Sequence, residues 1–174
     1  MLRHSLLAIA IATAALAQTP TPASAPASAT GEMKAAYTGI KNNLTKMSEK
    51  MPEEAYGFKA SAEVRTFGEL MLHIADSQTR TCSLVNGDPK QPNSAGKTAK
   101  ADIVAAMKES FTLCDKAFES LTDANSMEAI TTPRGSRTRL GALYGIIVHG
   151  NEEYGYGSIY LRLKSITPPS SERR

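Results

Sequence analysis

The chain has 174 residues, 41% of them apolar and 21% charged, with no tryptophan, which suits one globular domain and argues against a multi-domain enzyme. Its 20 Lys and Arg against 17 Asp and Glu leave a formal charge of +3, too small and too evenly interspersed for a dedicated nucleic-acid binder, and no basic stripe carries interleaved aromatics. No segment of the body approaches the roughly 18 consecutive apolar residues of a membrane-spanning helix.

Met1 to Ala17 reads as a secretory signal: Arg3 at the start, an apolar run from Leu6 to Leu16, and the small-residue pattern Ala15-Leu16-Ala17 ahead of Gln18. The apolar run is short for a membrane anchor. Cleavage after Ala17 removes Arg3 and His4 and no acid, so 19 basic residues face 17 acids, the charge becomes +2, and His73 and His149 are the histidines left. The expected location is therefore exported, periplasmic or secreted. Residues 18–31 (QTPTPASAPASATG) are Pro, Ala, Ser and Thr with little else. They bury too little apolar surface to offset the entropy of ordering, and are expected to be a disordered tether. The folded domain is expected over 32–171, with 172–174 as a tail.

Four helical segments follow. Glu32 to Lys50 places Met33, Ala36, Tyr37, Ile40, Leu44 and Met47 at three- and four-residue spacings, the apolar stripe of an amphipathic helix. Met51-Pro52 ends it. Thr66, with Glu69 three residues on, forms a capping-box pattern just ahead of Phe67, Leu70, Ile74, Leu84 and Val85, and Asn86-Gly87-Asp88-Pro89 closes that helix. Thr98 to Leu121 carries Ile103, Met107, Phe111, Cys114 and Phe118 at helical spacing. After a loop from Thr122 to Arg137, Thr138 can cap a last helix that Thr167-Pro168-Pro169 terminates. No run alternates long enough to propose a strand. The expected fold is all-α, a four-helix bundle whose facing side chains are a common place for a metal site.

In the last helix His149 and Glu153 are four residues apart and share a face. His73 sits at the edge of the second helix's apolar stripe. If those helices are neighbours, His73, His149 and Glu153 converge as two imidazoles and a carboxylate, a set that suits zinc with an open position or non-haem iron. The bland alternative is a satisfied core histidine and a solvated glutamate. Asp76, one turn after His73, is a candidate to orient that imidazole, or a plain surface carboxylate. Tyr156 and Tyr160 share the stripe of His149 and either line a pocket beside the metal or belong to the core. Glu152 points roughly 100° away from Glu153 and is expected to be a surface charge.

The segments MPEEAYGFKASAEVRTFGELMLHIADSQ (51–78) and VHGNEEYGYGSIYLRLKSITPPSS (148–171) resemble the DinB-like family, the damage-inducible metal-binding bundles and not the polymerase of that name. The likeness covers most of 32–171. It implies an up-down-down-up bundle, a divalent metal held by three histidines, frequent homodimers, and metal-dependent hydrolysis or chemistry on low-molecular-weight thiols. The first two metal histidines fall on His73 and His149; the third falls on Glu153, a departure from the family pattern. A carboxylate there lowers the site's charge by one and shifts preference toward harder metals, so zinc, iron, manganese or nickel are the candidates. The other outcome of the same substitution is a bundle that has lost its metal and works as a binding or dimerisation module. Export fits thiol chemistry poorly, because such thiols are chiefly cytosolic. The expected partner is a small molecule of unknown identity.

Cys82 and Cys114 invite a disulfide in an exported protein. If the third helix returns antiparallel to the second, however, they stand about 16 Å apart, well beyond bridging distance. Two buried thiols are therefore expected, with crossed or staggered packing as the route to a bridge. Arg134, Arg137 and Arg139 read as a solvated loop, with binding of an anionic ligand as the alternative. Arg162 and Lys164 complement the dipole at the end of the last helix.

Overall fold

A computed structural model describes residues 28–133 and 135–172. The expected signal, most of the expected tether, and Arg134, Arg173 and Arg174 lie outside the described residues. Four helices dominate: α1 (Ala29–Lys50), α2 (Phe67–Val85), α3 (Lys100–Glu119) and α4 (Arg139–Leu163), with short 3-10 turns at Glu53–Ala55 and Pro169–Ser171.

Helix α1 begins at Ala29, inside the segment expected to be tether. The Ser28 hydroxyl accepts from the Gly31 N–H at 3.1 Å, and the Thr30 hydroxyl donates to Asp123 at 2.7 Å. A cap and a distant carboxylate satisfy the first turn, which composition alone does not reveal. Helix α2 starts where the capping box puts it: the Thr66 N–H donates to the Glu69 carboxylate at 2.7 Å and the Glu69 N–H to the Thr66 hydroxyl at 3.1 Å. Thr138 caps α4 by accepting from the Gly141 N–H at 3.0 Å.

Contacts along the helices fix their directions. Tyr37 stacks on Phe118 and Lys41 pairs with Asp115, whereas Lys100 and Lys108 reach back to Glu49, so α1 and α3 are antiparallel. Gly150 packs on Ile40 and Gly157 on Met47, which makes α1 and α4 parallel. Phe67 meets Tyr160 and His73 meets His149, so α2 and α4 are antiparallel. It follows that α2 and α3 run the same way, and the order is up-down-down-up.

That parallel pair corrects the expectation for the cysteines. Gly68 packs on Ile103, Gln78 bonds Ser110 and Asn86 bonds the Leu113 carbonyl. The connection through 86–99 carries the chain back along α2 before α3 starts. Cys82 and Cys114 therefore lie level, with Cα atoms 4.9 Å apart, and form a disulfide. An antiparallel return of α3, as expected from the sequence, would have kept them apart; the parallel run brings them together.

A second correction concerns the loop before α4. It holds an antiparallel hairpin of β1 (Ala129–Thr132) and β2 (Gly135–Thr138), registered from Ala129 opposite Thr138 to Thr132 opposite Gly135. Ile-Thr-Thr favours a strand, but four residues a side are too few for an alternation to show. The Arg139 reading changes as well. Its guanidinium donates to the Val85 carbonyl at 3.2 Å and the Ser120 hydroxyl at 3.0 Å, tying the start of α4 to the ends of α2 and α3.

The core takes in the stripe residues Leu44, Met47, Phe67, Ile74 and Met107, all fully buried, together with Met71, Leu143 and Leu161, which the stripes did not include. Truncating one such leucine to alanine typically costs about 2 to 5 kcal/mol. Gly157 sets how closely α1 approaches α4: a Cβ there would collide with the Met47 sulfur. That close approach holds the last helix against the bundle one turn beyond Glu153.

Candidate metal centre

Helix periodicity delivers the three candidate ligands to one point. His73 sits one turn after Glu69 of the capping box, at the margin of the face that Leu70 and Ile74 bury. His149 and Glu153 stack one turn apart on α4 and face it across the antiparallel seam.

The separations are short. His149 Nε2 lies 3.1 Å from His73 Nε2, while Glu153 Oε1 stands 3.5 Å from His73 Nε2 and 3.4 Å from His149 Nε2. Donors each about 2.0 to 2.1 Å from one ion in a tetrahedral set are separated by about 3.4 Å, so the triangle already has the size that shared coordination needs. Among the described residues these three form the one group of His, Cys, Asp and Glu placed to hold an ion.

Electrostatics point the same way. Glu153 is buried, and its second oxygen, Oε2, is shielded from solvent without a hydrogen-bond partner. A carboxylate oxygen left so is costly unless a cation or donor meets it. Burial, assisted by the cations Arg65 and Arg80 and by His149, holds His73 below the ordinary imidazole pKa against the opposing pull of Glu153. A depressed pKa keeps the ring neutral, which is the form that binds metal.

Two clefts meet at the triad. One, of about 620 Å³, opens onto His73 and His149 and is walled by Arg80, Leu84, Ile130 and Arg137. The other, of about 560 Å³, opens onto Glu153 and is walled chiefly by Val64, Leu70, Tyr156, Ile159 and Tyr160.

The remaining candidates divide. Tyr160 is buried, stacks obliquely near Phe67 and donates its hydroxyl to the Arg65 carbonyl at 2.6 Å; its ring lines the cleft beside Glu153. Tyr156 lines the same cleft but is half exposed, with its hydroxyl 3.3 Å from Glu152, which raises its pKa. Asp76 accepts from the Ser94 hydroxyl at 2.7 Å and braces the α2–α3 connection instead of orienting His73. Of the hairpin residues that wall the histidine cleft, Arg137 carries a signal in the sequence as a candidate for an anionic ligand, whereas Ile130 and Thr132 do not, because their strand is too short for a periodic pattern.

The profile of the DinB superfamily matches residues 36–156. The chain belongs to the DinB superfamily. No curated protein matches it. Among solved structures it is similar to a DinB-like protein from Bacillus cereus ATCC 10987, with TM-score 0.69 and 16% identity over 79% of this chain and 93% of that one. A DinB-like protein from Bacillus subtilis aligns with TM-score 0.64 and 17% identity over 82% of this chain and 99% of that one. A conserved protein from Enterococcus faecalis aligns with TM-score 0.62 and 14% identity over 79% and 98%. At such identities the likeness is one of fold. Within the DinB superfamily pattern this chain carries Glu153 where the resemblance calls for a third histidine, and that carboxylate meets both imidazoles.

Proposed function

We propose that this DinB-superfamily chain is an exported metal-dependent enzyme of hydrolase or thiol-transferase type, with a divalent ion held by His73, His149 and Glu153. The observation that carries the reading is the unpartnered Glu153 Oε2 beside three donor atoms that lie within 4.8 Å of one another. Two imidazoles and a carboxylate are a donor set for zinc, iron(II) or manganese that leaves coordination positions for water and substrate. When bound, such an ion supplies Lewis-acid chemistry by lowering the pKa of a water or thiol toward neutrality. The chain's own part is to keep His73 neutral, to bring both Nε2 atoms together, and to hold Glu153 buried beside them. Tyr160 walls the adjoining cleft, where an apolar part of a substrate would lie.

Export is supported by the signal-like start and by the Cys82–Cys114 disulfide, since such bridges persist in oxidising compartments. A homodimer belongs to the same reading, supported by the outer face of α4, which exposes Tyr144, Val148, Ile159 and Leu163. That stripe also favours a second reading, in which the bundle is a non-catalytic dimerisation module.

The test is elemental analysis of the purified mature domain and of its His149→Ala variant. One bound ion per chain that vanishes in the variant is the expected result. No bound metal after supplementation with zinc, iron, manganese or nickel leaves the non-catalytic module, and light scattering then reads the dimer directly.

A further inference from the structure

The cleft over the two histidines has a composition that metal binding does not explain. Its polar wall consists of the two imidazoles, Ser77 and Thr81 from α2, Thr132 from β1, and the arginines Arg80 from α2 and Arg137 from β2, with no acidic side chain among the lining residues. Among the described residues neither arginine forms an ion pair with a carboxylate. Two cations facing one small concavity without a counter-ion raise its attraction for anions.

The placement of Arg137 is built into α4. Its guanidinium donates to the Gly141 carbonyl at 2.6 Å and lies against Gly145, where a Cβ would stand 3.4 Å from Nη1. Gly141 and Gly145 precede His149 by two turns and one turn, so a strip of helix without side chains lets the arginine lie along α4 toward that imidazole. A guanidinium carries five N–H donors in a fixed fork, and the bond to Gly141 uses one. On α2, His73, Ser77 and Thr81 recur every four residues, which continues the donor lining away from the triad toward the hairpin.

We propose that this cleft is an anion subsite, and that the substrate is a small carboxylate- or phosphate-bearing molecule whose anionic group is gripped by Arg80 and Arg137 while its reacting end lies at His73 and His149. The placing of the reacting end rests on the metal-centre reading; the anion grip does not. A cleft of about 620 Å³ accommodates a molecule of ordinary metabolite size. The neighbouring cleft sets one guanidinium, Arg65, against the carboxylates of Glu63 and Glu153 among Val64, Leu70, Ile159 and two tyrosines, so it offers an anion a weaker grip than two unopposed arginines.

The test is isothermal titration of the full mature chain with malonate and, separately, with inorganic phosphate, each on metal-loaded protein and on protein stripped of metal. Both arms compare the wild type with the double variant Arg80→Gln/Arg137→Gln, with Arg162→Gln as the control. The subsite requires that at least one anion binds and that the double variant weakens it about tenfold or more, the size of one charge-assisted hydrogen bond; the better of the two probes names the anion. Arg162→Gln should bind as the wild type does. Equal affinity in wild type and double variant, or no binding of either probe in either form, overturns the proposal. Should the double variant fail to fold, the wild type alone decides. Its affinity must fall with added sodium chloride, and an affinity independent of salt overturns the subsite. Metal content measured on the same samples scores the metal-centre reading separately, because the metal-free arm reads the arginines alone.

Discussion

Helix α2 belongs to two seams of opposite character. Toward α3 it is closed: Cys82 bridges Cys114, the Gln78 amide oxygen accepts from the Ser110 hydroxyl at 2.7 Å, and the Cα atoms at the bridge stand 4.9 Å apart. Toward α4 it opens onto the clefts at the triad, where the two imidazoles hydrogen-bond at 3.1 Å, Glu153 Oε1 lies 3.4 to 3.5 Å from both, and Glu153 Oε2 is left unpartnered. The difference separates structural from functional polarity. Asn86 Oδ1 and Arg139 Nε are also buried without partners, but those side chains are held by hydrogen bonds through their other atoms, whereas among the described residues the Glu153 carboxylate has only the two imidazoles beside it.

Breaking the closed seam should have the larger effect on stability. The bridge spans 32 residues, and removing that constraint from the unfolded chain is worth about 3.5 kcal/mol in the chain-entropy treatment. Urea unfolding of a Cys82→Ala/Cys114→Ala variant should show a loss of this order while the folded fraction keeps its full complement of metal. Loss of metal at unchanged helix content would mean that the two seams are not separable.

The open seam should be stabilised by what fills it. Saturating metal at about a hundred times its dissociation constant should add about 2.7 kcal/mol to unfolding, and His149→Ala should abolish that increment, read as a thermal midpoint that no longer responds to metal. Glu153→Gln sharpens the contrast further, because it removes the buried charge while keeping the shape. The metal-free variant should match or exceed the wild type by about 1 kcal/mol, yet gain nothing from metal.

The seam's response to acid follows from His73. Its folded pKa lies below the ordinary imidazole value because the ring is partly withdrawn from water, with Arg65 and Arg80 adding to the effect. In the metal-free protein the unfolded chain therefore takes up this proton at a higher pH than the folded one does. Stability should decline as pH falls through about 6.5 and level off below the folded value, with His73→Gln flattening that part of the profile. Metal retention should likewise persist to a lower pH than an unperturbed histidine allows, as bound metal measured after dialysis at stepped pH would show. The smallest effect belongs to Tyr156→Phe. Among the described residues the half-exposed side chain bonds Glu152 alone, so the urea midpoint should be unchanged within error and metal content should not move.

What the sequence disclosed follows from how locally each feature is encoded. The capping box at Thr66 and Glu69, the cap at Thr138 and the i,i+4 pair His149 and Glu153 are short-range patterns, and each is where the chain's own spacing puts it. The pairing of Cys82 with Cys114 depends on the direction of α3, which is decided by how far the 86–99 connection travels. Residue spacing within either helix does not report that distance. The two alternatives for Asp76 stayed open for a related reason, since its partner Ser94 sits in the same connection. The hairpin stayed hidden because strands of four residues, lying mostly outside the core, leave no pattern that burial imposes, so Arg137 could be marked as a candidate for an anion but not placed beside the histidines.

The bridge between two helices that run in the same direction also encloses the whole exposed connection between them. A protease that nicks the backbone between Asn86 and Ala99 would therefore release no fragment. The cut molecule should migrate as a single species on a denaturing gel until a reductant is added, and only then part into two pieces. In an oxidising compartment such a nick would pass unnoticed, the severed halves still clasped around an intact site.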